Sequence, residues 1–405
     1  MLSEDALNKL IQPITDRQEA INIYVIQQIV KRLKEIGTVS KSDLHRLERL
    51  FKMGSDVREI NQEIARLTAL QETDIKRVLK IVAKTAYSDT RAYYDYRHKA
   101  FIPFEQNKPL QRQVKAITRV TLESCKNLSN SRATGFLIRD LKHPNILKFQ
   151  SIGETYKTVM DEAIQAAQGG IIDYGTAMRR TLRQLTESGV RKMYWDSGYT
   201  QRLDTAVKRN LLGGIKEINQ AVQDITGEQF GADGKEITVH ANSAPDHEPI
   251  QGHQFTNTEW ENLQSNKPFT DVNGAHFEPI ERAIGTFNCR HFAYSIIVGV
   301  SKPIYTPEQL QKMIDNNRKG YTLPNGKHLT MYQCTQKQRQ LETEIRKAKD
   351  GQIACRTAGD TVGAKQYQAK INRLTSTYNS FSKDCGLSVR AGNLTVSGYR
   401  KISAK

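Results

Sequence analysis

Residues 364–381 read AKQYQAKINRLTSTYNSF. Within them Ala364, Tyr367, Ile371, Leu374, Tyr378 and Phe381 recur at spacings of 3, 4, 3, 4 and 3. Alternating threes and fours place these side chains on one stripe of an α-helix, a short a/d seam that needs a second helix to cover it. A helical pattern over 330–353 precedes it, and the glycine-bearing break at 359–363 lets the chain reverse. An antiparallel helical hairpin is therefore expected. Working outward from this seam, the same period recurs through most of the chain, so the expected fold class is mainly α with a small α+β domain.

At the N-terminal end Ile21, Val25, Ile29 and Leu33 recur every four residues, and Gly37 follows as a stop. Further helices are expected over 41–53 (Leu44, Leu47, Leu50, Phe51), over 56–70, and from Thr73 with Ile75, Val78, Leu79 and Val82. Tyr93, Tyr94 and Tyr96 then interleave with Arg91, Arg97, His98 and Lys99. That texture suits stacking on nucleic acid, but the commoner origin is the packed and snorkelling edge of a helix. Residues 107–227 are expected to be helical, punctuated by Gly169-Gly170 and Gly213-Gly214, with Met193, Tyr194 and Trp195 packed.

The texture changes near Gly227, where Gly, Pro, Asn, Asp and His become frequent and the helical period is lost. Residues 236–240 alternate as a strand should, and 296–300 has the composition of a buried strand. Thr306-Pro307-Glu308 opens a helix, with a cap residue followed by proline at the first helical position. Residues 321–326 read as a hairpin or turn. Four blocks result: an N-terminal helical region (1–105), a central helical region (106–227), a His-rich α+β domain (228–305), and a basic C-terminal hairpin and tail (306–405).

Formal net charge is +17, an excess that favours polyanionic partners such as nucleic acid. It is unevenly placed. Residues 301–405 carry 19 Lys+Arg against 7 Asp+Glu, whereas residues 228–300 carry 4 against 10. Basic flanks thus surround an acidic centre. Five cysteines, Cys125, Cys289, Cys334, Cys355 and Cys385, are scattered without CxxC spacing, as in a chain that folds in a reducing cytoplasm. Residues 1–5 lack the basic-then-apolar pattern of a signal peptide, and the longest apolar run, 292–300, is too short to span a bilayer. No membrane partner is expected.

Five of the nine histidines, His240, His247, His253, His276 and His291, fall within 228–305, and Cys289 lies among them. His247, Cys289 and His291, with His240 or Asp246 as a fourth ligand, form the candidate zinc set. Cys289 and His291 are closer in sequence than common zinc spacings, so the plainer expectation is that imidazoles and thiol pin irregular loops, and no cofactor is expected. A Cys289–His291 nucleophile pair would share one strand face but needs an orienting group and an oxyanion hole. No GxxxxGK[ST] loop, GxSxG elbow or HExxH helix is present, so ATPase, serine hydrolase and zincin chemistry lack their motifs.

Ser243-Ala244-Pro245-Asp246-His247, then Gln251-Gly252 and Phe255, then Asn288-Cys289-Arg290-His291 and Gly299-Val300-Ser301, resemble the signature of the phage minor capsid protein 2 family. That family is similar to the broader MuF-like head morphogenesis proteins. Tyr321-Thr322, Tyr332, Thr335 to Arg339, Leu341-Glu342, Ile345-Arg346, Tyr378, Phe381-Ser382 and Gly386-Leu387 resemble the family's tail in order and spacing. One departure is Ile250, where the family often has an aromatic before Gln-Gly. The motif residues carried over are Pro245, Asp246, His247, Gly252, Asn288, Cys289, Arg290 and His291.

The resemblance implies a structural, non-enzymatic virion protein of a tailed bacteriophage. It would be made in the host cytoplasm and sit inside the capsid near the portal vertex. Its implied partners are the portal protein, the major capsid protein or scaffold, and packaged double-stranded DNA, with roles in packaging or ejection. Lys337, Arg339, Arg346, Lys347 and Lys349 on one helix, with Lys365, Lys370 and Arg373 on its partner, are the expected phosphate contacts. The alternative is a metal-dependent hydrolase or nuclease using the His/Cys cluster at 240–291.

Overall fold

A computed structural model describes residues 2, 4–38, 54–128, 132–139, 145–169, 174–286, 289 and 291–403. In chain order its main elements begin with helices α1 (Glu4–Ile36), α2 (Ser55–Asp89), α3 (Arg91–Tyr96) and α4 (Lys108–Leu128). Strands β1 (Thr134–Arg139) and β2 (Leu147–Ser151) follow, then α5 (Ile152–Gly169), α6 (Tyr174–Ser188), β3 (Arg191–Tyr194), β4 (Tyr199–Arg202) and α7 (Leu203–Phe230). Next come β5 (Gly234–Ile237), β6 (Gln254–Thr256), α8 (Asn257–Gln264), β7 (Phe269–Thr270), β8 (His276–Phe277) and β9 (Ala293–Ile296). The chain closes with α9 (Pro307–Lys319), β10 (Tyr321–Thr322), β11 (His328–Leu329), α10 (Met331–Ala358) and α11 (Thr361–Asp384). The fold is mainly α with a small α+β part, as expected. The helix expected at 41–53 lies outside the described residues.

The stripe of Ile21, Val25, Ile29 and Leu33 on α1 is fully buried. α2 runs unbroken where two helices were expected to meet near Thr73. Its buried stripe continues through Ile64, Thr68, Gln71, Ile75 and Val78. Thr68 donates to the Ile64 carbonyl at 2.7 Å, and Gln71 accepts from Gln18 at 2.5 Å, so polar side chains occupy core-facing positions without breaking the helix.

The chain resolves into two compact units, each drawn from three stretches. One comprises residues 1–10, 75–123 and 209–337; the other comprises 11–74, 124–208 and 338–405.

The first unit contains an antiparallel sheet in the order β6-β5-β9. Ile237, Ile250, Phe255, Leu263, Phe269, Ile280 and Ile284 form its core, flanked by Trp260 and Phe277. α7 buttresses the outer edge of β9 with amide side chains. Ala293 N–H donates to Gln220 Oε1 at 3.0 Å, and Ser295 N–H donates to Gln223 Oε1 at 3.1 Å. The expected strands are displaced: 236–240 becomes Gly234–Ile237, and 296–300 becomes Ala293–Ile296. The residues after Ile296 turn instead, with Ser301 N–H bonded to the Ile297 carbonyl at 2.8 Å. Tyr93 stacks on Phe230 at 4.9 Å and Tyr94 meets it edge-on at 5.8 Å, so these tyrosines are the packed edge of a helix.

The second unit holds a sheet in the order β2-β1-β3-β4, all neighbours antiparallel. This corrects the expectation that 107–227 is helical. β3 and β4 form a hairpin whose turn ends at Gly198, in the left-handed region at φ 65°. Trp195, expected to pack, sits on that turn 65% exposed, edge-on to Phe149 at 6.0 Å. α10 and α11 form the expected antiparallel pair. Ala364, Ile371, Tyr378 and Phe381 are buried, Gln352 donates to Gln368 at 3.1 Å, and Gln338 donates to Ser382 at 2.9 Å. The chain after α11 docks here too, Val396 packing with Ile23 and Ile353.

Candidate metal centre

In the first unit the end of β5 and the start of β9 lie side by side, Thr238 N–H bonding the Phe292 carbonyl at 3.0 Å. The chain leaving β5 makes tight turns around Ala244, whose carbonyl accepts from the N–H groups of His247 and Glu248 at 3.1 and 3.0 Å. It returns to the sheet at Gly252, whose N–H bonds the Ile237 carbonyl at 3.0 Å. Gly252 has φ 78°, and a Cβ there would press on Leu310 and Val239, so backbone conformation and space both call for glycine. These turns carry His247 inward. Cys289 and His291 approach from the other side, just before β9.

The three side chains converge, and all are buried. Cys289 Sγ lies 3.5 Å from His247 Nδ1 and 3.6 Å from His291 Nδ1. The far nitrogens fix the tautomers. His247 Nε2 is 2.7 Å from the Arg282 carbonyl, which can only accept, so Nε2 carries the proton. His291 Nε2 is 3.3 Å from Gln251 Oε1. That oxygen also accepts from His240 N–H at 3.0 Å, which sets the amide's orientation. Both Nδ1 lone pairs are thereby directed at one sulfur.

Burial raises the Cys289 thiol, but hydrogen bonding and the charge of His247 in its protonated form prevail and hold the thiol below its ordinary value. His247 is shifted up against burial by Cys289 and the Arg282 carbonyl. Burial, reinforced by repulsion from His240 and His247, pushes His291 down to about 3, so it is neutral. By contrast, burial pushes the Cys125 and Cys355 thiols up to about 12.

The other family-motif residues divide. Asp246 is clamped by Arg282 through contacts of 2.7 and 2.9 Å. It lies 3.6 Å from His247 Nε2, on the side of the ring away from the sulfur, so it is not placed to be the fourth ligand. Pro245 and Asp246 line a cleft of about 640 Å³ with Ile280, Arg282 and Tyr332. Asn288 and Arg290 lie outside the described residues. His240 approaches His291 with ring centroids 4.7 Å apart. His253 instead pairs with Asp271 at 2.8 Å, and the exposed His276 contacts Thr270. Cys289 is 9% exposed and is not on the cleft wall. That placement suits a structural role better than the nucleophile or hydrolase alternatives, which need an accessible reacting atom.

The expected phosphate contacts also divide. Lys337, Lys365 and Arg373 are exposed, Arg339 and Lys370 are half-buried, and Lys347 pairs with Glu344 at 2.8 Å. Arg346 is not a surface cation. It is largely buried, donates to Glu19 at 2.7 Å and is ion-paired with Asp204. Lys349 donates to the Leu394 carbonyl at 2.6 Å and lies 4.7 Å over the Tyr399 ring, so it anchors the tail. Arg346 belongs to a buried charge cluster with Arg202, Glu19, Asp204 and Asp350 that was not anticipated from the sequence. The available signal was polar Gln18 and Asn22 on the apolar stripe of α1, which marks a core that contains polar groups.

Among the described residues no helix is long and apolar enough to cross a membrane. A family model described as phage minor capsid protein 2 matches residues 2–382. No curated protein and no solved structure matches the chain.

Proposed function

The chain belongs to the phage minor capsid protein 2 family, and from that premise we propose that it acts beside the portal during head assembly and contacts packaged DNA. The family makes it a phage structural protein of the virion. The finer role is that of a non-enzymatic component inside the capsid near the portal vertex, meeting the portal protein and the major capsid protein or scaffold. The match across 2–382 is the observation that carries this function. The excess of 19 basic over 7 acidic residues in 301–405 supports contact with DNA phosphates without base reading.

The direct test is co-expression with the portal protein of the same phage, with the major capsid protein as the comparison. The expected outcome is co-elution with the portal protein through size exclusion. Co-elution with the major capsid protein alone would remove the protein from the portal vertex.

A further inference from the structure

We propose that Cys289 Sγ, His247 Nδ1 and His291 Nδ1 bind one zinc ion that clips the turns after β5 to the chain entering β9. Zinc bonds of about 2.3 Å to sulfur and about 2.0–2.1 Å to nitrogen, at tetrahedral angles, put sulfur and nitrogen ligands about 3.5 Å apart. The two sulfur–nitrogen distances are 3.5 and 3.6 Å. Both imidazoles already hold the required tautomer. Each Nε2 proton is held by an oxygen acceptor, the Arg282 carbonyl for one and Gln251 Oε1 for the other. Such outer hydrogen bonds orient metal-binding histidines and raise their basicity.

A thiolate with two imidazoles is a borderline-soft donor set suited to zinc. His240, its ring centroid 4.7 Å from that of His291, is the candidate for the fourth position. The short Cys289–His291 spacing ceases to be an obstacle because the third donor comes from 42 residues earlier in the chain. Closing a loop of that length is where a metal clip adds most to folding.

The test uses the full chain. Metal analysis after purification without added metal is expected to find about one zinc per chain. Cobalt(II) added to the chelator-stripped protein should give the intense d–d absorption of tetrahedral cobalt and a thiolate-to-metal charge-transfer band. Cys289→Ser should abolish that band, and His247→Ala should lower the bound metal at least tenfold. Chelation should lower the melting temperature, with zinc restoring it. A cooperatively melting wild-type chain that holds no zinc and gives no charge-transfer band with cobalt(II) would overturn the proposal. That result needs neither variant, so misfolding of a variant cannot obscure it.

Discussion

At the scale of single residues, the buried charge cluster of the second unit contains two guanidinium groups, Arg202 and Arg346, and three carboxyl groups, Glu19, Asp204 and Asp350. Fully ionised, it would leave an unbalanced negative charge away from water, which is costly. Burial raises every carboxyl here, but for Asp204 the Arg346 and Arg202 guanidiniums prevail and hold it well below the usual range. Glu19 goes the other way. Burial and the neighbouring Asp204 push it up to about 8, so it keeps its proton at neutral pH. Gly189 makes room for Arg202, since a Cβ there would strike the guanidinium and φ is 60°. Because the folded chain holds the Glu19 proton more tightly than the unfolded chain, this group's contribution to stability is complete below about 4.5 and lost as pH rises through about 8. Glu19→Gln cannot ionise. Melting temperatures measured from about pH 5 to about pH 9 should show the wild type losing on the order of a few °C relative to Glu19→Gln. Parallel curves would mean Glu19 is ionised throughout.

At the scale of elements, periodicity was legible wherever one face alone is buried. The α1 stripe and the 364–381 seam came through because one pattern repeats over more than three turns in the first and five in the second. The sheet of β1 to β4 did not, because its strands are short and lack clean alternation: β2 is exposed or half-buried along its length, and β3 is half-buried throughout. The Asp-Ser-Gly turn of the β3–β4 hairpin was a legible signal, outweighed by the helical patterns on either side. Convergence at the candidate centre was half legible. The crowding of histidines could be counted, but which of them meet depends on turns that bring residue 247 to residue 289. Close helix approach could not be read at all. At Gly351 on α10, a Cβ would lie 2.3 to 2.7 Å from the Tyr367 ring of α11. Alanine gains about 1 kcal/mol of helix propensity over glycine, whereas overpacking costs about 1–3 kcal/mol. With a whole ring edge in the way, the steric cost should win, and Gly351→Ala should destabilise by about 1–2 kcal/mol in urea unfolding. In a Tyr367→Ala background the same substitution should become neutral or stabilising. A stabilising effect in the wild-type background would show that the helices do not touch there.

At the scale of the whole molecule, the charge map and the fold constrain each other. The +17 excess invites a nucleic-acid partner, and the −6 balance of 228–300 steers that contact away from the His-rich segment. Burial then sorts the cations that composition could only count. Arg346 and Lys349 are committed to internal partners, while Lys337, Lys365 and Arg373 face solvent. Only exposed cations can release counterions from a duplex, so the sorting becomes a measurable slope. The triple variant Lys337→Ala, Lys365→Ala, Arg373→Ala should bind double-stranded DNA more weakly whatever its sequence. It should also reduce the slope of log affinity against log salt by about 2–3, with an unchanged melting temperature. Arg346→Ala should do the reverse. It removes one of the two guanidinium groups that hold the buried Asp204, at a cost of about 3–5 kcal/mol, while the salt slope of the remaining folded protein stays near wild type. Filter binding or anisotropy across a salt series, alongside thermal melts, reads both effects. If the wild type shows no affinity for duplex DNA even at low salt, the basic C-terminal segment must serve protein partners in the head rather than its DNA.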